Sequence, residues 1–167
     1  MVQDFSEKPG LRGTRLLSQK ELLIISQFRK DARKNLTNVS RDIKIPVSTI
    51  YDKLKVYEKS IIKKYTAIVD FSKLGYNVRV SISIKALQET KKQLTSFILS
   101  NFNVNSVYRI NSGYDFMVEA IFKDMNDLQV FLDKLDEIGV KERNEYFISE
   151  DLKRESFLTK SEYIDLI

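Results

Sequence analysis

The stretch DIKIPVSTIYDKLKVYE, residues 42–58, sets a proline between two helical patterns. Proline has no backbone N–H and a φ fixed near helical values, so it fits the first turn of a helix and breaks the middle of one. Pro46 therefore ends one helix and opens the next. In the helix that follows, Ile50, Leu54 and Tyr57 fall at i, i+4 and i+7 and face inward. The opposite side shows Ser48, Thr49, Tyr51, Asp52, Lys53 and Lys55. Two helices joined by a short turn, the second presenting hydroxyls and lysines, make a helix-turn-helix pattern, and its second helix enters the major groove of duplex DNA. Ser48, Thr49, Tyr51 and Asp52 are candidates for base reading, and Lys53 and Lys55 for phosphate neutralisation. A merely solvated helix face has the same spacing, so periodicity alone leaves both readings open.

Upstream, Ser18 followed by Glu21 has capping-box spacing and predicts a first helix from Ser18 to Lys30, with Leu22, Ile25 and Phe28 on its apolar face. A shorter second helix is expected over Thr37–Lys44, with Thr37 as N-cap and Val39 and Ile43 on one face. Residues 1–16, broken by Pro9, Gly10 and Gly13, read as a loose basic arm. Charge supports a polyanion partner for this half. Met1–Thr66 holds 15 Lys+Arg against 7 Asp+Glu, net +8, whereas Ala67–Ile167 holds 13 against 16, net −3.

The sequence has no cysteine and no histidine. That removes disulfides, thiolate nucleophiles, the usual zinc sites and imidazole acid–base chemistry. No catalytic constellation, metal site or cofactor motif stands out, and no enzyme activity is expected. No apolar run approaches the ~20 residues of a membrane span, and the first 15 residues lack a signal-peptide core. A cytoplasmic protein is expected.

The segment from Leu17 to Tyr76 resembles the DNA-binding domain of the Lrp/AsnC (leucine-responsive, feast/famine) transcription regulators. The resemblance lies in LSQKELLII, in KDAR at Lys30–Arg33, in the hydrophobic frame of the helix after Pro46, and in IIKKYTAIVDFSKLGY. It extends to about Leu158. Pro46 stands where the family usually has a serine, and Ser60 where glycine is frequent. The resemblance implies a winged helix-turn-helix over 17–66 and a linker over 67–77. Lys63 and Lys64 lie beside the expected short wing and are expected on the DNA backbone, as is Arg33 if nothing in the fold engages it.

The second half follows its own pattern. VRVSISIKA, Val78–Ala86, alternates strictly, as a strand with one buried face does. A helix over Thr90–Ser100, strands at Val104–Ile110 and Phe116–Phe122, a helix capped by Asp124 and ended by Gly139, and a strand over Val140–Ser149 complete the order β-α-β-β-α-β. This is a ferredoxin-like unit, expected over 78–158, with two helices on one sheet face. The other face is expected to carry Met117, Ile121 and Phe147 and to pair with a second copy. The overall class is α+β. The resemblance implies that this half is the family's effector and oligomerisation (RAM) domain, in a homodimer or in tetramers or octamers built from dimers.

Between the second and third strands lies Asn111-Ser112-Gly113-Tyr114-Asp115, where the family places a Gly-x-x-Asp-like turn near its amino-acid effector. Backbone amides around Gly113 suit a carboxylate, and Asp115 suits an ammonium group. A tight hairpin turn would use the same residues. The tail 159–167 offers Tyr163, Ile164, Leu166 and Ile167, either to dock on a neighbouring subunit or to fray. The leading expectation is a sequence-specific DNA-binding regulator with double-stranded DNA, itself and a small amino acid as partners. The alternatives are an architectural DNA-coating protein, and a small enzyme or metabolite-binding module in which the basic half only solubilises.

Overall fold

The computed structural model describes residues 16–166, and the expected basic arm before Leu16 lies outside them. The chain forms two units. Residues 16–67 and 153–166 make one, and 68–152 the other.

The first unit holds three helices, α1 (Gln19–Lys30), α2 (Leu36–Ile43) and α3 (Val47–Ser60). The capping box at the start of α1 is complete. Glu21 N–H donates to Ser18 Oγ at 3.4 Å, and Ser18 N–H donates to Glu21 Oε2 at 2.9 Å. The cap of α2 lies two residues earlier than expected, because Asn35 rather than Thr37 accepts the cap bond, from Asn38 N–H at 2.8 Å. Lys44, at φ 54°, ends it in the left-handed conformation. Pro46 is the N-cap of α3, and its carbonyl accepts from Ile50 N–H at 3.1 Å. Ile24, Phe28, Val39, Ile45, Ile50 and Tyr57 form the core beneath these helices.

Glu21 does more than cap. Its second oxygen, Oε1, accepts from Lys53 Nζ on α3 at 2.8 Å, and its side chain is only 9% exposed. The Lys53 ammonium, with the Ser18 N–H and hydroxyl, lowers the Glu21 carboxyl to about 2 from its ordinary 4.5. α1 is thereby tied to α3 by a charge-assisted bond as well as by packing.

The tail belongs to this unit. A 3₁₀ turn over Ser161–Leu166 packs on α1, and Ile164 is buried. Arg29 on α1 donates to Glu155 Oε2 at 2.5 Å and to the Phe157 carbonyl at 3.2 Å. The tail thus docks within its own chain, the reason being an apolar contact plus a guanidinium clasp that a frayed end would lack. Ile167 and the side chains of Tyr163 and Leu166 lie outside the described residues.

The second unit opens with a 3₁₀ turn over Phe71–Leu74, closed by Gly75 at φ 84°. It continues as β1 (Val78–Ala86), α4 (Lys91–Ser100), β2 (Val104–Arg109), β3 (Phe116–Phe122), α5 (Met125–Ile138) and β4 (Val140–Phe147). The sheet is antiparallel, in the order β2-β3-β1-β4. Alternation along β1 puts Val80, Ile82 and Ile84 into one core with Phe116, Val118 and Ala120 of β3. α4 and α5 cover it with Leu94, Ile98, Leu128 and Leu135. Phe131 stacks on Phe97 with centroids 5.5 Å apart and tilts against Phe122 at 5.4 Å. Gly139, at φ 107°, ends α5; a Cβ there would come within 3.2 Å of Thr90 Cγ2.

The uncovered sheet face is more polar than expected. Met117 faces Ser83 across the β1–β3 ladder, Glu119 faces Ser81, and Ile121 faces Arg79. Arg79 donates to Glu119 Oε1 at 2.8 Å and to both Asp151 oxygens at 2.7 Å. Phe147 is in register with Val80 and so lies on the helix-covered side, contrary to expectation. Its neighbour Tyr146, opposite Ser81, lies on the open side, since β4 is offset by one residue from the alternation assumed.

The Glu21 hub has a pH signature. A carboxyl lowered from 4.5 to about 2 contributes stability that is complete above about 4.5 and is lost as pH falls toward 2. Glu21→Gln is expected to lower the melting temperature at neutral pH and to flatten the loss between pH 4.5 and 2, as read by thermal denaturation across pH. An unchanged acid limb would remove Glu21 from this role.

Candidate nucleic-acid interface and effector cleft

The core side of α3 is fixed by Ile50 and Tyr57, both buried. Its outer side then follows from helical geometry. Ser48, Thr49, Tyr51, Asp52 and Lys55 are all exposed. Lys55 Nζ lies 4.3 Å from the centroid of the Tyr51 ring, one turn earlier, and the Tyr51 hydroxyl beside it raises the lysine's pKa. Lys53 differs from the others. Expected among the phosphate contacts, it is turned to Glu21, because a buried carboxylate needs a counter-charge more than an exposed helix face needs a further lysine. Sequence reasoning treated Glu21 as a cap only, and no spacing rule links residues 21 and 53.

Among the described residues no strand follows α3 before Val78, so Lys63 and Lys64 sit on an irregular, exposed segment rather than on a strand pair. Arg33 is also exposed, its backbone N–H donating to Asp31 Oδ1 at 2.9 Å. Lys34, beside it, is engaged by Gln27 and Asp42.

In the second unit the turn between β2 and β3 runs through Ser112 at φ 64° and Gly113 at φ 94°. Asn111, Ser112 and Gly113 are exposed, and a Cβ on Gly113 would meet nothing within 4 Å. The turn borders a cleft of about 430 Å³ whose walls include Lys85, Leu87, Gly113, Tyr114, Asp115 and Lys141. Its volume lies within the range of small-molecule sites, roughly 300–1,000 Å³. Tyr114 donates to Glu142 Oε1 at 2.5 Å and accepts from Asn144 Nδ2 at 2.5 Å, and the Glu142 carboxylate raises its phenol pKa.

Asp115 is not free to meet an ammonium ligand. It accepts from Lys91 Nζ and from Ala86 N–H, the latter at 2.9 Å, and these two bonds lower its pKa. Its own backbone N–H donates to Ile84 O at 2.8 Å. The residue therefore clamps the turn to the end of β1 and the start of α4, a structural duty of the kind a tight hairpin requires. Lys85 and Lys141 were missed in the sequence because β1 and β4 become neighbours only through the sheet order.

The profile of the Lrp/AsnC ligand binding domain matches residues 77–157. The HTH-type transcriptional regulator FL11 of Pyrococcus furiosus is 31% identical over 116 residues, covering 69% of this chain and 77% of that protein. This chain belongs to the Lrp/AsnC family. An uncharacterised HTH-type transcriptional regulator of Pyrococcus horikoshii is 28% identical over 134 residues, 79% of this chain and 90% of its own length. Among solved structures, LrpC of Bacillus subtilis superposes with a TM-score of 0.75 at 24% identity, over 83% of this chain and 99% of that one. A transcriptional regulator of Neisseria meningitidis, solved with L-Met, gives a TM-score of 0.76 at 18% identity, over 83% and 94%. The Lrp/AsnC relatives are transcriptional regulators rather than enzymes, and this chain is a DNA-binding transcription regulator of that type, with a helix-turn-helix unit and a RAM-type α+β unit. No described helix is long and apolar enough to cross a membrane.

The clamp by Asp115 is testable. Asp115→Ala leaves the Ala86 N–H and the Lys91 ammonium without their acceptor, and bonds to a charged group contribute about 1.5–3 kcal/mol. Urea denaturation is expected to show a loss of that order in this Lrp/AsnC chain. A midpoint equal to that of the parent chain would contradict the structural role.

Proposed function

We propose that this chain reads a specific, pseudo-palindromic operator as a homodimer, with α3 of each copy in the major groove. The observation that carries the reading is the outer side of α3, where Ser48, Thr49, Tyr51, Asp52 and Lys55 are exposed while Ile50 and Tyr57 hold the helix from beneath. Ser48, Thr49, Tyr51 and Asp52 supply base-edge donors and acceptors. Lys55, Lys63, Lys64 and Arg33 supply backbone contacts. Lys53 is left out of the interface, because Glu21 holds it.

Dimerisation uses the open sheet face. Tyr108, opposite Met117, and Tyr146, opposite Ser81, lie there at 57% and 54% exposure. Ser83 Oγ is buried at the centre of that face with no hydrogen-bond partner among the described residues. Exposed tyrosines on a sheet face suit a protein interface better than water. Two heads related by two-fold symmetry would meet half-sites about 34–36 Å apart, or a multiple of that. The cleft beside Gly113 holds a small carboxylic acid effector, for which the L-Met complex of the Neisseria regulator is the precedent. The protein works in the cytoplasm, where its DNA lies.

Selection of bound duplexes from a random library, followed by salt titration, tests this. A selected site is expected to bind about 10³-fold or more tightly than random duplex. Lys55→Ala is expected to reduce the salt slope by about one, whereas Lys53→Ala leaves it unchanged. Thr49→Ala is expected to relax preference at one position. Equal affinity for random and selected duplex would favour an architectural coat, and a reduced slope in the Lys53 variant would return that lysine to the interface.

A further inference from the structure

We propose that the cleft beside Gly113 selects a small dicarboxylate without an amino group, in preference to a neutral amino acid. This rests on the reading of the cleft as the effector site and names its ligand class. Two lysines line the walls, Lys85 near the end of β1 and Lys141 at the start of β4. The one carboxylate in the walls, Asp115, is already engaged by Lys91 Nζ and by the Ala86 N–H at 2.9 Å. Glu142 faces Lys85 across the β1–β4 ladder, but its Oε1 is held by the Tyr114 hydroxyl at 2.5 Å. That hydroxyl in turn accepts from Asn144.

A zwitterionic amino acid would meet the lysines with its carboxylate. Its ammonium would then lie among like charges, with no free carboxylate in the walls to receive it. Like-charge contact and an unmatched ammonium both oppose binding. A ligand with two carboxylates instead meets one ammonium with each. The backbone at Gly113 borders the same space without a side chain in the way, so its amides add donors for a carboxylate oxygen. The cleft, at about 430 Å³, accommodates a chain of four or five carbons.

Isothermal titration calorimetry of the full chain with succinate, 2-oxoglutarate, L-leucine and inorganic phosphate at matched ionic strength tests the proposal. Succinate and 2-oxoglutarate are expected to bind at least about tenfold more tightly than leucine or phosphate. Lys85→Gln and Lys141→Gln each are expected to weaken the dicarboxylates about tenfold, the scale of one charge-assisted bond. Both positions reach the surface, and a melt of each variant checks that it folds. Lys91→Gln frees Asp115 and is expected to narrow the gap between leucine and succinate, a shift in selectivity that loss of stability alone would not produce. Leucine binding as tightly as succinate would overturn the proposal while leaving the cleft an effector site. Phosphate matching succinate would also overturn it, as a general anion site. Heat from none of the four ligands, with operator binding intact, would overturn both the ligand class and the effector reading.

Discussion

The Glu21 carboxylate meets the N–H and hydroxyl of the N-cap Ser18 and the Lys53 ammonium of α3. Few side chains in a three-helix unit hold so much geometry. The cap fixes where α1 begins, and the ion pair fixes how α3 is rotated about its own axis. With Lys53 drawn toward α1 and Ile50 and Tyr57 buried, a period of 3.6 residues leaves Ser48, Tyr51, Asp52 and Lys55 toward solvent. Packing alone tolerates small rotations of a helix. The charge-assisted bond at the edge of the apolar stripe adds to that packing, because losing it would leave a nearly buried carboxylate without its counter-charge.

The second unit repeats this device with different residues. Asp115 joins a turn, the end of a strand and the start of a helix by two bonds, and removes the charge of Lys91 from the cleft. In both units a shielded carboxylate takes up one lysine for structure. On the proposed reading, Lys55 in the first unit and Lys85 and Lys141 in the second remain for ligands.

Much of the fold was legible in residue patterns with local physics behind them. Ser18 and Glu21 announced α1 through a three-residue cap, Pro46 announced the start of α3, and the alternation in Val78–Ala86 gave β1 to the residue. Asp124 and Gly139 bounded α5 for the same reason. Errors arose where two candidates competed locally or where partners were distant. Asn35 and Thr37 are both good caps, and only the chain's path after α1 decides between them. Phe147 fell on the unexpected face because β4 carries few apolar residues to mark its phase. The pairs Glu21–Lys53 and Asp115–Lys91 join residues 32 and 24 apart, beyond any helical or hairpin rule. Of the candidate DNA-contact residues, the exposed side of α3 was readable from its period. Which of Lys53 and Lys55 is held by the Glu21 side chain was not.

The most direct measurement is lysine acetylation followed by mass spectrometry, with and without an excess of duplex carrying the selected site. In the free protein Lys55, Lys63 and Lys64 should react quickly and Lys53 slowly, since Glu21 holds its ammonium. DNA should then protect Lys55, Lys63 and Lys64 and leave Lys53 unchanged. Fast reaction of Lys53 in the free protein, together with its protection by DNA, would contradict the rotation of α3 set by Glu21.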